Sequence, residues 1–279
     1  MIGAIIGDIV GSRFQFDNFK NKDFEFFTEE CTITDDSIMT FAVAKTIMDT
    51  TNMMKITLEE GNSDRYYFLI ENMVVEYMQN FGKRYPYYGY GQMFGEWLFS
   101  ENPKPYKSYG NGAAMRIVPA GFIVGSEEEV RKLSGVITGV THNHPEGLKG
   151  AEAVVMAMFL SRQGCSKSEI KSKIEKDYYT LDFSLDELRE TYTFDYTCQG
   201  TVPPSIVAFL ESTSYEDAIR NAVSLGGYSD IVASITGGIA EAYYTVPGEF
   251  KEEALTYLDG YLKKIYSDWT SFTEENSEV

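Results

Sequence analysis

Cysteine and histidine are scarce in this chain of 279 residues, which has three cysteines and two histidines. The cysteines are an odd number without Cys-x-x-Cys spacing, so we expect neither a disulfide framework nor a thiolate zinc site. The histidines, His142 and His144, stand two residues apart before a proline, which is not the spacing of a helical zinc site. One of the two can still line a ligand pocket.

Positive charge is also in short supply. Lysine and arginine together number 24 against 42 aspartates and glutamates, which gives a net charge of −18. A field of this sign repels phosphate backbones and anionic lipid surfaces, so we expect neither nucleic acid nor a membrane as a partner. No run of 18 apolar residues is present, and Asp8 interrupts the apolar start, which lacks the basic residues of a signal peptide. We therefore expect a cytoplasmic protein, and we take a monomer as the default.

Helical periodicity dominates the chain, and no internal repeat or polar linker divides it. With 43% hydrophobic residues, the chain can bury a large core. We predict a single all-α domain over residues 1–273, followed by a flexible acidic tail over 274–279. The spacing of apolar residues predicts helices over 36–50, 145–164, 214–227, 229–247 and 252–272.

Two stretches lack clear helical periodicity. Residues 178–196 alternate Tyr, Phe and Thr and could pair locally as strands. Residues 82–113 are rich in Gly, Pro and Tyr, which predicts a long ordered loop. Long loops inside compact domains are often functional, so this stretch is a candidate for one wall of a binding site.

Two acidic motifs stand at predicted helix starts. In the first, Thr34 precedes the adjacent carboxylates of Asp35 and Asp36, which repel each other unless a cation lies between them. A divalent hard cation with oxygen ligands satisfies this pattern. In the second, Asp230 opens a helix that is apolar nearly all round, where a cation or hydrogen bonds could hold its carboxylate at the edge of the core. Helix capping, by Asp35 or Asp36 in one case and by Asp230 in the other, is the structural alternative.

Two glycine motifs complete the pattern. Gly3, Gly7 and Gly11 recur every four residues, a spacing that favours close helix packing, and Asp8 beside them suits a buried hydrogen-bonding role better than a catalytic one. The run GNGAAMR at residues 110–116 has small residues that let a ligand approach the backbone. Consecutive amides there could form an anion-binding concavity for a diphosphate, or the run could be an ordinary turn into a helix. We find no P-loop, dinucleotide fingerprint or Gly-x-Ser-x-Gly elbow.

Taken in order, these segments resemble the ADP-ribosylglycohydrolase family, which includes dinitrogenase-reductase-activating glycohydrolase and the ADP-ribosylarginine and ADP-ribosylserine hydrolases. Each motif alone is modest, but their order and spacing together are specific. The anchors are GAIIGDIVGS (3–12), TDDSIMTFAVA (34–44), GYGQMFGEWLFS (89–100), SYGNGAAMR (108–116), TH (141–142) and GGYSDIVASITGGIAEAYYTVP (226–247). The resemblance implies an all-α fold of many helices around a central metal-containing cleft, and hydrolysis of a glycosidic bond at the distal ribose of ADP-ribose.

The resemblance also implies two Mg²⁺ or Mn²⁺ ions. The ligand positions of one ion correspond here to Thr34, Asp35, Asp36 and Asp230, and all four keep oxygen ligands. The positions that hold the other ion alone are altered: a glutamate is replaced by Gln15, an aspartate by Tyr228 and a threonine by Ile231. We therefore expect one ion rather than two, with Asp35 and Asp36 as catalytic residues and Gln15 unable to act as a base.

For the substrate, the resemblance implies an ADP-ribose site built from the glycine-rich run and one histidine. Tyr85, Tyr87, Tyr88 and Tyr90 could stack on adenine or line the cleft, and Tyr90 is included in the expected site. The expected substrate-binding residues are Gly110, Asn111, Gly112, Ala113, Met115, Arg116, His142 and Tyr90.

Three functions are compatible with these residues. The first is an Mg- or Mn-dependent hydrolase that works with an altered metal site. The second is a catalytically impaired relative that binds ADP-ribose or an ADP-ribosylated partner without turnover. The third is a binding or inhibitory protein that uses its acidic surface and keeps a vestigial pocket. Turnover separates the first two, and a metal-dependent shift in melting temperature counts against the third.

Overall fold

The computed structural model describes residues 1–57 and 61–276, and their regular structure is helical throughout. Within these residues no strand forms, and the one isolated β-bridge joins Gly110 to Thr197. The all-α prediction is therefore confirmed. The helices are α1 (Ile2–Ser12), α2 (Asp35–Ile56), α3 (Ser63–Arg84), α4 (Gln92–Leu98), α5 (Gly112–Met115), α6 (Val118–Ile123), α7 (Glu127–Gly139), α8 (Pro145–Arg162), α9 (Lys167–Asp177), α10 (Leu185–Thr191), α11 (Cys198–Leu210), α12 (Tyr215–Val223), α13 (Ser229–Tyr243), α14 (Gly248–Thr256) and α15 (Gly260–Asn276).

Four of the five predicted helices correspond to α2, α8, α12 and α13. The fifth, predicted over 252–272, is two helices, α14 and α15. The break has a local cause, because the carboxylate of Asp259 accepts a hydrogen bond from the amide of Leu262 at 2.9 Å and so caps the start of α15. α15 continues to Asn276, three residues into the expected tail, and residues 277–279 lie outside the described part of the chain.

The strand expected within 178–196 is wrong. A capping box forms there instead, in which Ser184 and Glu187 satisfy each other's backbone amides and start α10. The long loop expected over 82–113 is interrupted by α4, which buries Phe94 and Trp97 against the core. In both places a short helix formed where the apolar pattern was too brief to reveal helical periodicity.

The centre of the fold is α13, which packs against α1, α8, α11 and α12. Its contact with α1 is close because small residues face each other along both helices. A Cβ atom added to Gly7 would lie 2.0 Å from the carbonyl oxygen of Ala233, and one added to Gly3 would lie 2.4 Å from that of Gly237. The predicted role of the glycine spacing in helix packing is confirmed.

Two further expectations concern the chain as a whole. Cys31, Cys165 and Cys198 are all free thiols, as their odd number and spacing indicate. No helix among the described residues combines the length and the apolar character needed to cross a membrane. One hydrophobic core runs through the described helices, so the single-domain prediction is confirmed.

The close contact of α1 with α13 generates a stability prediction. Gly7→Ala places a methyl group against the carbonyl of Ala233, so the two helices must separate, and we expect a loss of about 1–3 kcal/mol or more in the free energy of unfolding. Gly135→Ala in α7 is the matched control, because no atom lies within 4 Å of its added Cβ; it should gain about 0.5–1 kcal/mol from helix propensity. Urea unfolding of both variants measures the difference, and equal stability of the two would contradict the close packing.

Candidate metal centre and the adjoining cleft

Three buried carboxylates meet where α1, α2 and α13 converge. Asp8 lies in the last turns of α1, Asp36 in the first turn of α2 and Asp230 in the first turn of α13. All three are fully buried, and one oxygen from each lies within 4.8 Å of the others. The close α1–α13 contact brings them together, since Gly11 sits directly against the backbone of Asp230.

Asp8 is a structural hydrogen-bond acceptor. Its carboxylate accepts from the amide of Thr34 at 2.9 Å, from the hydroxyl of Thr34 at 2.7 Å and from the amide of Ser37 at 3.1 Å. The hydroxyl of Ser37 donates to it as well. Asp8 therefore anchors the start of α2 to α1, which is the role that its position among the glycines predicts.

Asp36 and Asp230 are different, because none of their four carboxylate oxygens has a hydrogen-bond partner although all are buried. Burial raises the pKa of both groups well above the usual range, and neighbouring carboxylates raise it further, among them Asp8 in both cases. An isolated buried carboxylate is costly unless a cation or a proton compensates it. The pair therefore has the chemistry of a cation site.

The capping alternatives are wrong at both motifs. Thr34 rather than either aspartate caps α2, because its hydroxyl accepts from the amide of Asp36 at 3.2 Å. Tyr228 precedes α13 without a side-chain cap, so Asp230 does not serve as one. The Thr34 hydroxyl donates once and accepts once, which leaves one lone pair for a further interaction. Oxygen ligands of these kinds fit Mg²⁺ or Mn²⁺, and Asp36, Asp230 and Thr34 are the groups that would hold it.

Asp35 lies at the open side of this cluster and is only partly buried. Its amide donates to the carbonyl of Tyr88 at 2.9 Å, and its carboxylate faces Gly89, whose φ of +95° lets the chain turn around it. Burial raises the pKa of Asp35 to about 7, with a further contribution from Asp8. A carboxylate that titrates near neutrality can accept a proton under physiological conditions.

The three positions that the resemblance assigns to a second ion add no carboxylate to this cluster. Gln15 is in the turn that follows α1 and is partly buried. The ring of Tyr228 packs edge-on against Phe194, with centroids 5.3 Å apart, and Ile231 packs against the hydrophobic core. Asp8 is the carboxylate that the resemblance alone did not place here, and the signal for it was its position between the packing glycines.

The four loop tyrosines are placed differently, and Tyr90 is near enough to Asp35 to be influenced by its charge. Its hydroxyl is buried without a partner, and burial and then the charge of Asp35 raise its pKa. Tyr85 instead donates to Asp259 at 2.8 Å, and Tyr87 is almost fully exposed. Tyr88 contacts Asp35 through its backbone carbonyl, so Tyr90 is the loop tyrosine whose free hydroxyl stays a predicted contact for substrate.

Most backbone amides of residues 110–116 have acceptors within the protein, which favours the turn into a helix over an anion-binding concavity. The amides of Ala114 and Met115 donate to Asn111 within the short helix α5, and that of Gly110 donates to Ser108. The amide of Asn111 bonds to the carbonyl of Tyr196 at 2.8 Å. These N–H groups already have acceptors because the run turns into a helix, as the alternative interpretation of the sequence predicts.

The expected substrate residues divide into two groups. Asn111 donates from its side chain to Thr201 at 3.1 Å, and it anchors the run to α11, while Ala113 and Met115 are buried in the core. Gly110 and Gly112 are partly exposed, and both face the ring of His142. The second group is the one that a ligand can approach.

Arg116 is fully buried, so its expected direct contact with substrate is not what the structure shows. One guanidinium nitrogen, Nη2, contacts Thr141 and His142, and the group lies over the ring of Phe94 at 5.0 Å from the centroid. Burial lowers its pKa to about 10, a value that still leaves it charged at neutral pH. His144, the other histidine, accepts from the amide of Glu146 at 3.1 Å and caps α8.

The unpartnered carboxylates generate a prediction for the metal-free protein. Because their pKa values are raised in the folded state, the folded protein holds protons that the unfolded chain releases, so stability falls as pH rises from about 4 towards 8. Asp36→Asn removes one buried charge and should exceed the wild type by roughly 1–3 kcal/mol at pH 8 but not at pH 4. Thermal unfolding in the presence of a chelator measures this, and a variant less stable than the wild type at pH 8 would contradict it.

Comparison with known proteins agrees with this geometry. The sequence model of the ADP-ribosylglycohydrolase family matches residues 1–270. ADP-ribosylhydrolase ARH3 of Mus musculus is 26% identical over 183 residues, which cover 49% of this chain and 50% of that protein. The match therefore spans about half the length of the mouse protein. ARH3 of Xenopus tropicalis is 24% identical, with 93% of this chain and 91% of that protein covered.

A solved structure described as an ADP-ribosylglycohydrolase-related protein complex shares the fold. It superposes with a TM-score of 0.67 and 19% identity, and covers 92% of this chain and 93% of that one. With the family match over nearly the whole length and the acidic cluster at the convergence of three helices, the chain belongs to the ADP-ribosylglycohydrolase family.

Proposed function

We propose that this protein hydrolyses the glycosidic bond between ADP-ribose and a modified acceptor and that it uses one Mg²⁺ or Mn²⁺ ion. The observation that carries the proposal is the pair of buried carboxylates, Asp36 and Asp230, whose oxygens have no partner in the protein. Such a pair is compensated either by protons or by a cation, and a hard divalent cation is the ligand that oxygen donors of this kind suit. The family membership supplies the substrate class.

The side chains divide the work by position. Asp36 and Asp230 hold the ion, and Asp8 keeps Asp36 in place by anchoring the start of α2. The ion, when bound, supplies positive charge that acidifies water and stabilises negative charge on oxygen. Thr34 fixes the amide of Asp36 and so sets the direction of the helix from which both adjacent aspartates project.

Asp35 is the proposed general base. It is partly exposed, and burial raises its pKa to about 7, so it can take a proton from water. The water oxygen bonds to the anomeric carbon of the distal ribose while the bond from that carbon to the acceptor breaks. The proton that Asp35 takes from water passes to the leaving acceptor, and free ADP-ribose is the other product. A ring-oxygen-stabilised transition state is expected for this class of cleavage.

The use of a single ion follows from the altered positions. Ile231 has no oxygen to offer, and the ring of Tyr228 is engaged with Phe194. Gln15 offers a neutral amide oxygen at most. These replacements also favour the second candidate, a relative that binds ADP-ribose without turnover, because a base at the Gln15 position is missing. For both candidate functions, the expected partner is ADP-ribose or an ADP-ribosylated protein, and the expected location is the cytoplasm.

Turnover is the first test. We expect release of free ADP-ribose from mono-ADP-ribosylated arginine or serine peptides in the presence of Mg²⁺ or Mn²⁺. Asp35→Asn should reduce the rate roughly 10²–10⁴-fold, because it removes the base. Asp182→Asn, at an exposed loop position, is the matched control and should leave the rate unchanged.

The triple change Gln15→Glu, Tyr228→Asp and Ile231→Thr decides between the two candidates. Activity in the wild type that Asp36→Ala abolishes establishes the hydrolase. Activity that only the triple variant shows, together with ADP-ribose binding by the wild type, establishes the impaired relative. Failure of the wild type both to turn over and to bind ADP-ribose would reject the two proposals together.

Ion binding is tested separately by thermal unfolding. At an ion concentration about 100 times the dissociation constant, Mg²⁺ or Mn²⁺ should stabilise the protein by about 2.7 kcal/mol, or roughly 5–10 °C in Tm. Asp36→Asn and Asp230→Asn should each lose this shift, since each removes a ligand, whereas Asp182→Asn should keep it. An undiminished shift in both ligand variants would place the ion elsewhere.

A further inference from the structure

We propose that Arg116 and Thr141 are positioning residues that hold His142 as a neutral tautomer with its ring hydrogen on Nε2. The single lone pair of Nδ1 then faces the hydroxyl of Thr141 and the guanidinium of Arg116, and Nε2–H points away from them. The part of the proposal that concerns a ligand rests on the proposed function, whereas the tautomer itself does not.

Two hydrogen-bonding groups lie beside Nδ1 of His142. Nη2 of Arg116 lies 3.3 Å from Nδ1 of His142, and Oγ1 of Thr141 lies 2.7 Å from it. A guanidinium N–H can only donate. A hydrogen on Nδ1 would face that N–H directly, so Nδ1 must be the acceptor.

The single hydrogen of the Thr141 hydroxyl has two acceptors within reach. The hydroxyl oxygen accepts from Arg116, so its hydrogen is free to go to Nδ1 or to the carbonyl of Thr138, which is 3.4 Å away. That carbonyl already accepts from the amide of Thr141 at 3.2 Å and from the amide of His142 at 2.9 Å, so it is a poorer acceptor than Nδ1 while Arg116 occupies the hydroxyl oxygen. The hydrogen therefore goes to Nδ1 at the shorter distance, and the two donors agree.

The imidazole ring of His142 is held in its neutral form. His142 is buried, with only 5% of its surface exposed. Burial and then the charge of Arg116 lower its pKa well below the usual value. Among the described residues, Arg116 and the phenol of Tyr106, whose ring lies 5.7 Å away, are the ionisable groups placed against the ring. Neither is an anion at neutral pH, so nothing there stabilises an imidazolium.

Nε2–H of His142 faces two glycines of the run at residues 110–116. A Cβ atom added to either Gly110 or Gly112 would lie 3.6 Å from Nε2, so the hydrogen points into space that a side chain at these positions would narrow. Both glycines are partly exposed, which makes this space reachable from the solvent. A ligand group there must accept a hydrogen bond, and a phosphate oxygen of ADP-ribose has this chemistry. The amides of Gly110 and Asn111 already have acceptors within the protein, and His142 adds a side-chain donor at this place.

Nitrogen NMR of histidine-labelled protein tests the tautomer directly, since a ring nitrogen without hydrogen resonates far from a protonated one. The chain has two histidines, and His144→Asn assigns the spectrum while keeping a residue that can cap α8. We expect Nδ1 of His142 to be unprotonated and Nε2 protonated throughout pH 6–8. A protonated Nδ1 in the wild type would overturn the proposal whatever the variants do.

Substitution at the two positioning residues separates their role from general packing. In Arg116→Met the Thr141 hydroxyl can either donate or accept, so both tautomers should be populated and the two nitrogen shifts should move towards each other. Thr141→Val keeps the guanidinium and should keep the single tautomer, as should Arg116→Lys, whose ammonium also only donates. Thr46→Val, at a buried threonine bonded within α2, is the matched control. An unchanged single tautomer in Arg116→Met would overturn the assignment to Arg116.

Titration with ADP-ribose tests the ligand part. We expect the Nε2 resonance to shift on binding, and Arg116→Met to bind about tenfold more weakly than Thr46→Val, as loss of one hydrogen bond to a charged group would produce. Binding measured by calorimetry without a shift at Nε2 would overturn the donor role. If ADP-ribose does not bind at all, the proposed function fails. The tautomer of His142 is then still decided by the nitrogen spectrum of the free protein.

Discussion

The contact between α1 and α13 is the constraint on which the rest of the structure depends. The two helices approach so closely that a single methyl group on Gly7 would enter the carbonyl of Ala233. At the end of the same contact, Gly11 lies against the backbone of Asp230 and brings its carboxylate next to Asp8. Larger residues at the glycine positions would push the helices apart and dissolve the acidic cluster. The packing of the core and the composition of the site are therefore one feature.

The cluster of Asp8, Asp36 and Asp230 lowers the stability of the fold that brings these residues together. Asp8 is fully compensated by hydrogen bonds from the start of α2, but Asp36 and Asp230 are left with buried, unpartnered oxygens. Such groups cost stability unless something else compensates them, and hydrophobic packing of α1, α2 and α13 carries that cost in the absence of a cation. The arrangement is what a site needs if a hard cation is to bind it strongly, because no internal hydrogen bond has to be broken first.

The cleft then has two chemically distinct ends. The acidic end holds three aspartates in the core, with Asp35 at its opening. The other end presents glycine backbone and the neutral ring of His142, with the charge of Arg116 buried behind it. Under the proposed function, the ribose of the substrate would reach the cation and its diphosphate would reach the hydrogen-bond donor on His142.

Sequence reasoning succeeded where the information was local or periodic. An apolar face predicted α2, strongly apolar segments predicted α8 and α13, and a capping pattern with terminal glycines predicted α12. It failed for α4, for α10 and for the break between α14 and α15. In these places a short apolar pattern, a capping box at Ser184 or a single cap at Asp259 decided the structure. Elements of one or two turns draw their stability from tertiary contacts and caps, which periodicity does not record.

For the site, the sequence by itself determined which oxygen ligands are available and which are missing: the Thr34-Asp35-Asp36 motif, Asp230, and the replacements at Gln15, Tyr228 and Ile231. It also determined the glycine face that lets α1 approach α13. Only the tertiary structure decided how these groups are used. It made Asp8 an anchor and left Asp36 and Asp230 unpartnered, and it turned Arg116 away from the cleft and onto His142. The physical reason is that hydrogen bonds and burial are properties of groups distant in the chain, and only the packed helices bring those groups within reach of one another.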